Sequence, residues 1–209
     1  METTLQELTG VWRRESLSVA EGEPYEDSTV YWLQAGAFFA DMRWPLQVNG
    51  GESSGTSAFS GLTHWAAPTI KFVHELDLTK EHMEDQTILS IENGKLHESG
   101  QVTINDELIQ FQEVWTPVEL NQTELKINVA RREELIDQHR ITTAYLVRVG
   151  NFSIVMQENC HEFTAGCWQA LEKGERWSKL YSIGDITYLE GVLNDITNGG
   201  SHPDWRNLL

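Results

Sequence analysis

The chain has 209 residues, with 15 basic and 32 acidic side chains and a formal net charge of −17. That excess of acid argues against nucleic acid or an anionic membrane surface as the main partner, because both require basic patches, and the longest basic runs here are the pairs Arg13-Arg14 and Arg131-Arg132. An apolar fraction of 40 % with 22 % charged residues describes an acidic, soluble globular protein with a real core, not a disordered chain.

The N-terminal stretch from Met1 to Leu5 has neither a basic region nor an apolar run, so no signal peptide is expected. No apolar window approaches the roughly 20 residues of a membrane helix. The two cysteines, Cys160 and Cys167, are too few for a disulfide framework. Together these features lead to the expectation of a reduced, cytoplasmic protein without membrane association.

In chain order, Thr3–Leu8 reads as one short helical turn, followed by a strand over Val11–Val19. Ser28–Gln34 and Ala37–Trp44 form a hairpin with Ala35-Gly36 as its turn. Gly50 to Gly55 reads as a flexible loop after the turn-like Trp44-Pro45. Strands follow over Ile70–Leu78, Thr87–Glu92, Lys95–Ile104 and Glu107–Trp115, with turns at Asn93-Gly94 and Asn105-Asp106. Further strands are expected over Thr123–Ala130, Arg140–Val149, Phe152–Glu158 and Lys179–Leu189, with a turn at Gly150-Asn151. Arg131–Asp137, His161–Lys173 and Pro203–Leu208 each read as a brief helix. No amphipathic run reaches four clean turns, which argues against α/β winding. The architecture that fits is all-β: one barrel domain over residues 1–209, an antiparallel meander of about eight to ten strands with short peripheral helices.

A two-residue turn fixes cross-strand register. Around Gly150-Asn151 it pairs Val149 with Phe152, Val147 with Ile154 and Tyr145 with Met156 on one apolar face. Around Asn93-Gly94 and Asn105-Asp106 it pairs Leu89 with Glu98, Leu96 with Trp115, and Glu98 with Glu113. Two carboxylates are thus opposed on a face that also carries Leu89, Leu96, Ile109, Phe111 and Trp115. Opposed like charges destabilise a sheet, so such a pair calls for a proton, an arginine, a metal or a ligand, unless the register is off by one or this stretch is solvent-facing rim. His74 shares a side with Ile70, Phe72, Leu76 and Leu78 and is either a ligand group or a hydrogen-bonded core histidine. Around Ala35-Gly36 the pairs are Trp32/Phe39, Val30/Asp41 and Ser28/Arg43. That places Asp41 and Arg43 beside aromatic rings, either as a surface ion pair or with Arg43 stacked to receive a carboxylate.

Gly10-Val11-Trp12, opening the first strand after a short helix, resembles the Gly-x-Trp start of the calycin superfamily, the lipocalins, fatty-acid-binding proteins and their relatives. Thr143-Ala144-Tyr145 resembles that family's second motif without its aspartate, and the segment after Glu158 is longer than a simple lipocalin requires. The resemblance implies an intracellular barrel with an aromatic-lined cavity for a small ligand. It further implies that Trp12 closes one end of the barrel and that a late-strand arginine, for which Arg148 is the candidate, packs across it.

Three functions fit these readings. In the first, the barrel binds a small, mostly apolar or aromatic ligand, with a carboxylate as one option for its polar end. Trp32, Arg43, His74, Glu98, Glu113 and Trp115 would contact it. In the second, the same interior is an isomerase, lyase or hydrolase using His74, Glu98 and Glu113 as general acid and base. In the third, the chain is an interaction module without a pocket, marked by exposed tryptophans among its eight. Self-association through an outer sheet face is compatible with all three. No metal site is expected, because Cys160, His161 and Cys167 lack a second cluster at zinc-site spacing, and no phosphate loop or other cofactor motif is present.

Overall fold

The computed structural model describes residues 4–46, 55–81, 83–104, 106–120, 125–159, 162–171 and 176–209. A one-turn helix, α1 (Leu5–Leu8), leads into eight strands: β1 (Gly10–Val19), β2 (Ser28–Ala35), β3 (Phe38–Pro45), β4 (Ser57–Ala66), β5 (Thr69–Asp77), β6 (Glu84–Glu92), β7 (Lys95–Ile104) and β8 (Glu107–Pro117). Each pairs antiparallel with the next, and β1 pairs with β8, so the meander closes into a barrel. Closure satisfies the edges that an open sheet would leave unpaired.

The remaining strands are β9 (Ile127–Ile136), β10 (His139–Val149), β11 (Phe152–Glu158), β12 (Phe163–Leu171), β13 (Arg176–Ile183) and β14 (Trp205–Asn207). They form a separate six-stranded sheet in the order β13-β12-β11-β10-β9-β14. One face of it carries Tyr145, Val147, Val149, Phe152, Ile154 and Met156 and packs against Leu33, Ala40, Met42 and Leu76 of the barrel wall. The other face, with Leu146, Val155 and Trp168, is covered by α2 (Thr187–Thr197). That helix buries Leu189, Val192, Leu193 and Ile196, an i, i+3, i+4, i+7 stripe.

Turn chemistry sets most of the register. Asn93 and Gly94 both take positive φ (52° and 78°), as the two-residue turn demands, and all the β6–β7, β7–β8 and β10–β11 pairs expected from the sequence are present. The β2–β3 turn falls one residue later, at Gly36-Ala37, with Gly36 at φ 58°. Trp32 therefore pairs with Asp41 and not Phe39, and Val30 with Arg43. The slip is two residues in register, an even number, so every side chain keeps its face.

Several expected elements differ. Arg131–Asp137 is not helical, because β9 continues through it and turns at Asp137-Gln138, both with positive φ. His161–Lys173 contains β12 instead of a helix. Burial on both faces removes the two-residue alternation there, and Gly166 is required because a Cβ would come within 2.2 Å of the Trp168 ring. Pro203–Leu208 holds the short strand β14. The strand expected over Lys179–Leu189 stops at Ile183, and α2 begins at Thr187. Neither β4 nor α2 was expected. The glycine-rich loop lies outside the described residues from 50 to 54, as do Cys160 and His161.

Arg148 does not pack across Trp12. It lies in β10, donates to the carbonyls of Gly150 (2.9 Å) and Thr197 (3.1 Å), and stacks over Trp177. It pins the end of α2 to the second sheet.

Candidate functional site

One end of the barrel is plugged. Thr4 and Glu7 form a reciprocal cap that starts α1, and Leu8 is fully buried in the barrel end. The Trp12 indole N–H donates to the Leu8 carbonyl at 2.8 Å, and its ring stacks on Trp32 at 6.3 Å between centroids. Trp32 gives its own N–H to Gln34 Oε1 (3.0 Å), so it presents only apolar surface to the interior.

Above this plug lies a cavity of about 550 Å³, and all six residues singled out from the sequence line it: Trp32, Arg43, His74, Glu98, Glu113 and Trp115. Glu98 and Glu113 are cross-strand partners and are buried, at 7 % and 5 % exposure, so they are not rim. Asp41 and Arg43 form an ion pair in the cavity wall (Nε to Oδ1, 2.8 Å), not on an outer face, and Arg43 also lies over the Phe59 ring.

Arg14 neutralises one member of the carboxylate pair. Its Nη1 donates to Glu113 Oε1 at 2.6 Å, its Nε and Nη2 grip both oxygens of Glu26 at 2.9 and 3.0 Å, and Nη2 also reaches Ser28. Arg43 Nη1 approaches the same Glu113 oxygen at 3.9 Å. Glu113 is thus an ion-paired carboxylate. Glu98 receives the Trp115 indole N–H at 2.9 Å and lies beside the Thr87 hydroxyl. Burial first and the Glu113 charge second push its pKa up to about 8, so it is a neutral acid at pH 7. Burial opposes charge on Arg14 too, but Glu26 and Glu113 outweigh it and raise its pKa further.

His74 forms a second charged group. Its Nδ1 contacts Asp77 Oδ2 at 2.9 Å, and its ring stacks on Phe59 at 4.2 Å. Nε2 lies 3.2 Å from Asp85 Oδ2, an ion-pair contact without hydrogen-bond alignment. Burial works against the imidazolium, but the two aspartates prevail and raise the pKa to about 9. Asp77, buried yet receiving hydrogen bonds from His74 and Thr79, is held below the usual carboxylate range.

Residues three apart on a regular strand face opposite ways. His74 and Asp77 face the same way because β5 carries a bulge: His74 pairs with Gly61 and Leu76 with Ser60, leaving Glu75 unpaired. Gly61 is required there, since a Cβ would lie 2.0 Å from the Val73 carbonyl oxygen. The same bulge sends Leu76 into the contact with the second sheet, away from the side of His74 on which the strand pattern places it.

Arg14, Glu26, Asp77 and Asp85 were not singled out from the sequence. Arg14 was legible, two residues after the inward Trp12 on a strand. Asp77 was not, because a bulge leaves no mark in hydrophobic alternation. Among the described residues no His, Cys, Asp or Glu cluster has metal-site geometry, and Cys167 is buried in the inter-sheet core with its thiol pushed up by burial.

The chain is thus an antiparallel β-barrel protein of eight closed strands, with a charged, aromatic-walled cavity and a second sheet packed on its wall. It belongs to the family described as Protein HRI1, whose model matches residues 10–192. Its fold is similar to that of the crystal structure of the uncharacterized protein YLR301w from Saccharomyces cerevisiae, with a TM-score of 0.64 at 16 % identity, covering 84 % of this chain and 85 % of that one. No curated protein matches the chain. No helix among the described residues is long and apolar enough to cross a membrane.

Proposed function

We propose that the barrel is a binding vessel for a small, mostly apolar or aromatic ligand. The observation that carries this reading is the cavity itself: about 550 Å³, walled by Trp32, Phe72 and Trp115 at the plugged end and by ionisable groups above them. That volume and that mixture of apolar wall with few polar groups are typical of small-molecule sites. The calycin resemblance supports the same reading, since Trp12 stands at the start of β1 and contributes to the plug.

Catalysis has one observation in its favour: Glu98, near 8, titrates close to neutrality beside His74 in the same cavity. It lacks a base. Glu113 is tied to Arg14, and His74 is held protonated between Asp77 and Asp85. Binding is therefore the better reading. The interaction-module reading loses its main support, since none of the eight tryptophans is fully exposed.

The test uses 1-naphthalenemethanol, an uncharged aromatic probe. Saturable quenching of tryptophan fluorescence with a rise in melting temperature is expected, because a ligand that binds only the folded form stabilises it. Absence of both up to the probe's solubility would remove this reading.

A further inference from the structure

The charges around the cavity do not cancel. Arg14 and Arg43 share three carboxylates, Glu26, Glu113 and Asp41. His74 shares two, Asp77 and Asp85. Each group is left with one negative charge in excess, before Glu98 is counted. Arg14 is fully engaged, and Arg43 is already paired with Asp41 through Nε and Nη2, which leaves only its Nη1 to an incoming carboxylate. A carboxylate ligand would meet net negative charge in a low-dielectric wall, and a cation would meet attraction.

A second observation points the same way. Thr87 lines the cavity with its residue 5 % exposed, and its buried Oγ1 lies against Glu98 without an aligned hydrogen bond. A buried hydroxyl without an aligned partner is costly, and its oxygen is open to a further donor. Glu98 lines the same cavity and receives a hydrogen bond on Oε2 from Trp115. Beneath these groups, Trp32 meets Trp115 edge-on at 5.6 Å and Phe72 at 5.4 Å, offering ring faces to a flat body and to a cation. The chain's overall charge of −17 attracts cations to the protein.

We infer that the ligand joins a flat apolar or aromatic body to a protonated amine, with the body against Trp32 and Trp115 and the ammonium donating to Glu98 and Thr87. This rests on the ligand-binding reading above and names its chemical class. Burial and the Glu113 charge are what keep Glu98 protonated in the free protein, and a bound ammonium offsets both.

The experiment compares three naphthyl probes by calorimetry on the full chain at pH 7: 1-naphthalenemethylamine, 1-naphthalenemethanol and 1-naphthoate. The amine is expected to bind about tenfold more tightly than the alcohol, with the acid weakest. In Glu98→Gln the amine-to-alcohol ratio is expected to fall toward one. An amine that binds no better than the alcohol overturns the charge assignment while the cavity reading stands. A preference that survives Glu98→Gln places the amine on the acidic outer surface and also overturns the assignment. Failure of all three probes to bind removes the cavity reading and this inference together. Should Glu98→Gln not fold, the order of the three probes on the unaltered protein still decides.

Discussion

Replacing Arg14 with methionine keeps the length of the side chain and removes its charge. Arg14 is 6 % exposed and makes charged contacts at 2.6, 2.9 and 3.0 Å to two carboxylates. Removing one partner from a buried ion pair costs about 3–5 kcal/mol, because the other charge is left uncompensated. Two features place the expected loss at the lower end, about 3 kcal/mol. Glu26 is partly exposed, at 17 % of its side chain, and can turn toward water, and Glu113 keeps a weaker contact with Arg43 at 3.9 Å. With a urea m-value of about 3 kcal/mol/M, that loss moves the unfolding midpoint by about 1 M. Tryptophan fluorescence reads the transition, since Trp32 and Trp115 sit beside the site. Arg14 holds Glu26 below its ordinary value, so this part of the stability is present above the unfolded carboxylate range and is lost as pH falls through the lowered folded value. The gap between the two proteins is therefore widest near neutral pH and narrows in acid. A loss below about 1 kcal/mol, the range of solvated surface pairs, would refute the claim that Arg14 holds a buried carboxylate cluster.

Gly61→Ala forces a Cβ to within 2.0 Å of a backbone oxygen, so the β4–β5 bulge must open. A loss of about 3 kcal/mol or more in chemical denaturation is expected, against a gain of up to about 1 kcal/mol for an alanine at an open helical site such as Gly191, where nothing lies near the added Cβ. Glu98 has a folded value near 8, above its unfolded one, so its contribution is fully present below the ordinary carboxylate range and falls away as pH rises through about 8. Glu98→Gln should therefore gain on the unaltered protein as pH climbs from 5 to 9, and parallel stability curves would contradict this. His74, raised to about 9, contributes fully below the usual imidazole range and loses that contribution as pH rises through about 9. Denaturation midpoints of His74→Gln should approach those of the unaltered protein above that value.

The faces of the barrel were more legible than its elements. Glu98 and Glu113 were placed opposite each other by counting back from Asn93-Gly94 and Asn105-Asp106, because tight turns leave no freedom of register. Trp32, Asp41 and Arg43 were placed on one shared face even though the turn was misplaced by one residue, since the resulting register slip was even, but which way that face pointed was left open. The C-terminal half was less legible. β12 is buried on both faces, so its Ala, Gly, Cys and Trp do not alternate, and α2, interrupted by Gly191, is held by packing on Trp168 and Val155 more than by helix propensity. The missed site residues have the same origin. The bulges at Glu15 in β1 and Glu75 in β5 reverse the alternation beyond them, which is how Leu17 and Asp77 come to line the cavity.

The most direct measurement of the central claim is a crystal structure of the protein grown with 1-naphthalenemethylamine. The account predicts the naphthyl ring against Trp32 and Trp115 inside the barrel, with its nitrogen in hydrogen-bond reach of Glu98 and Thr87. A probe seated only on the outside of the barrel, or an interior closed by repacked aromatic side chains, would contradict it.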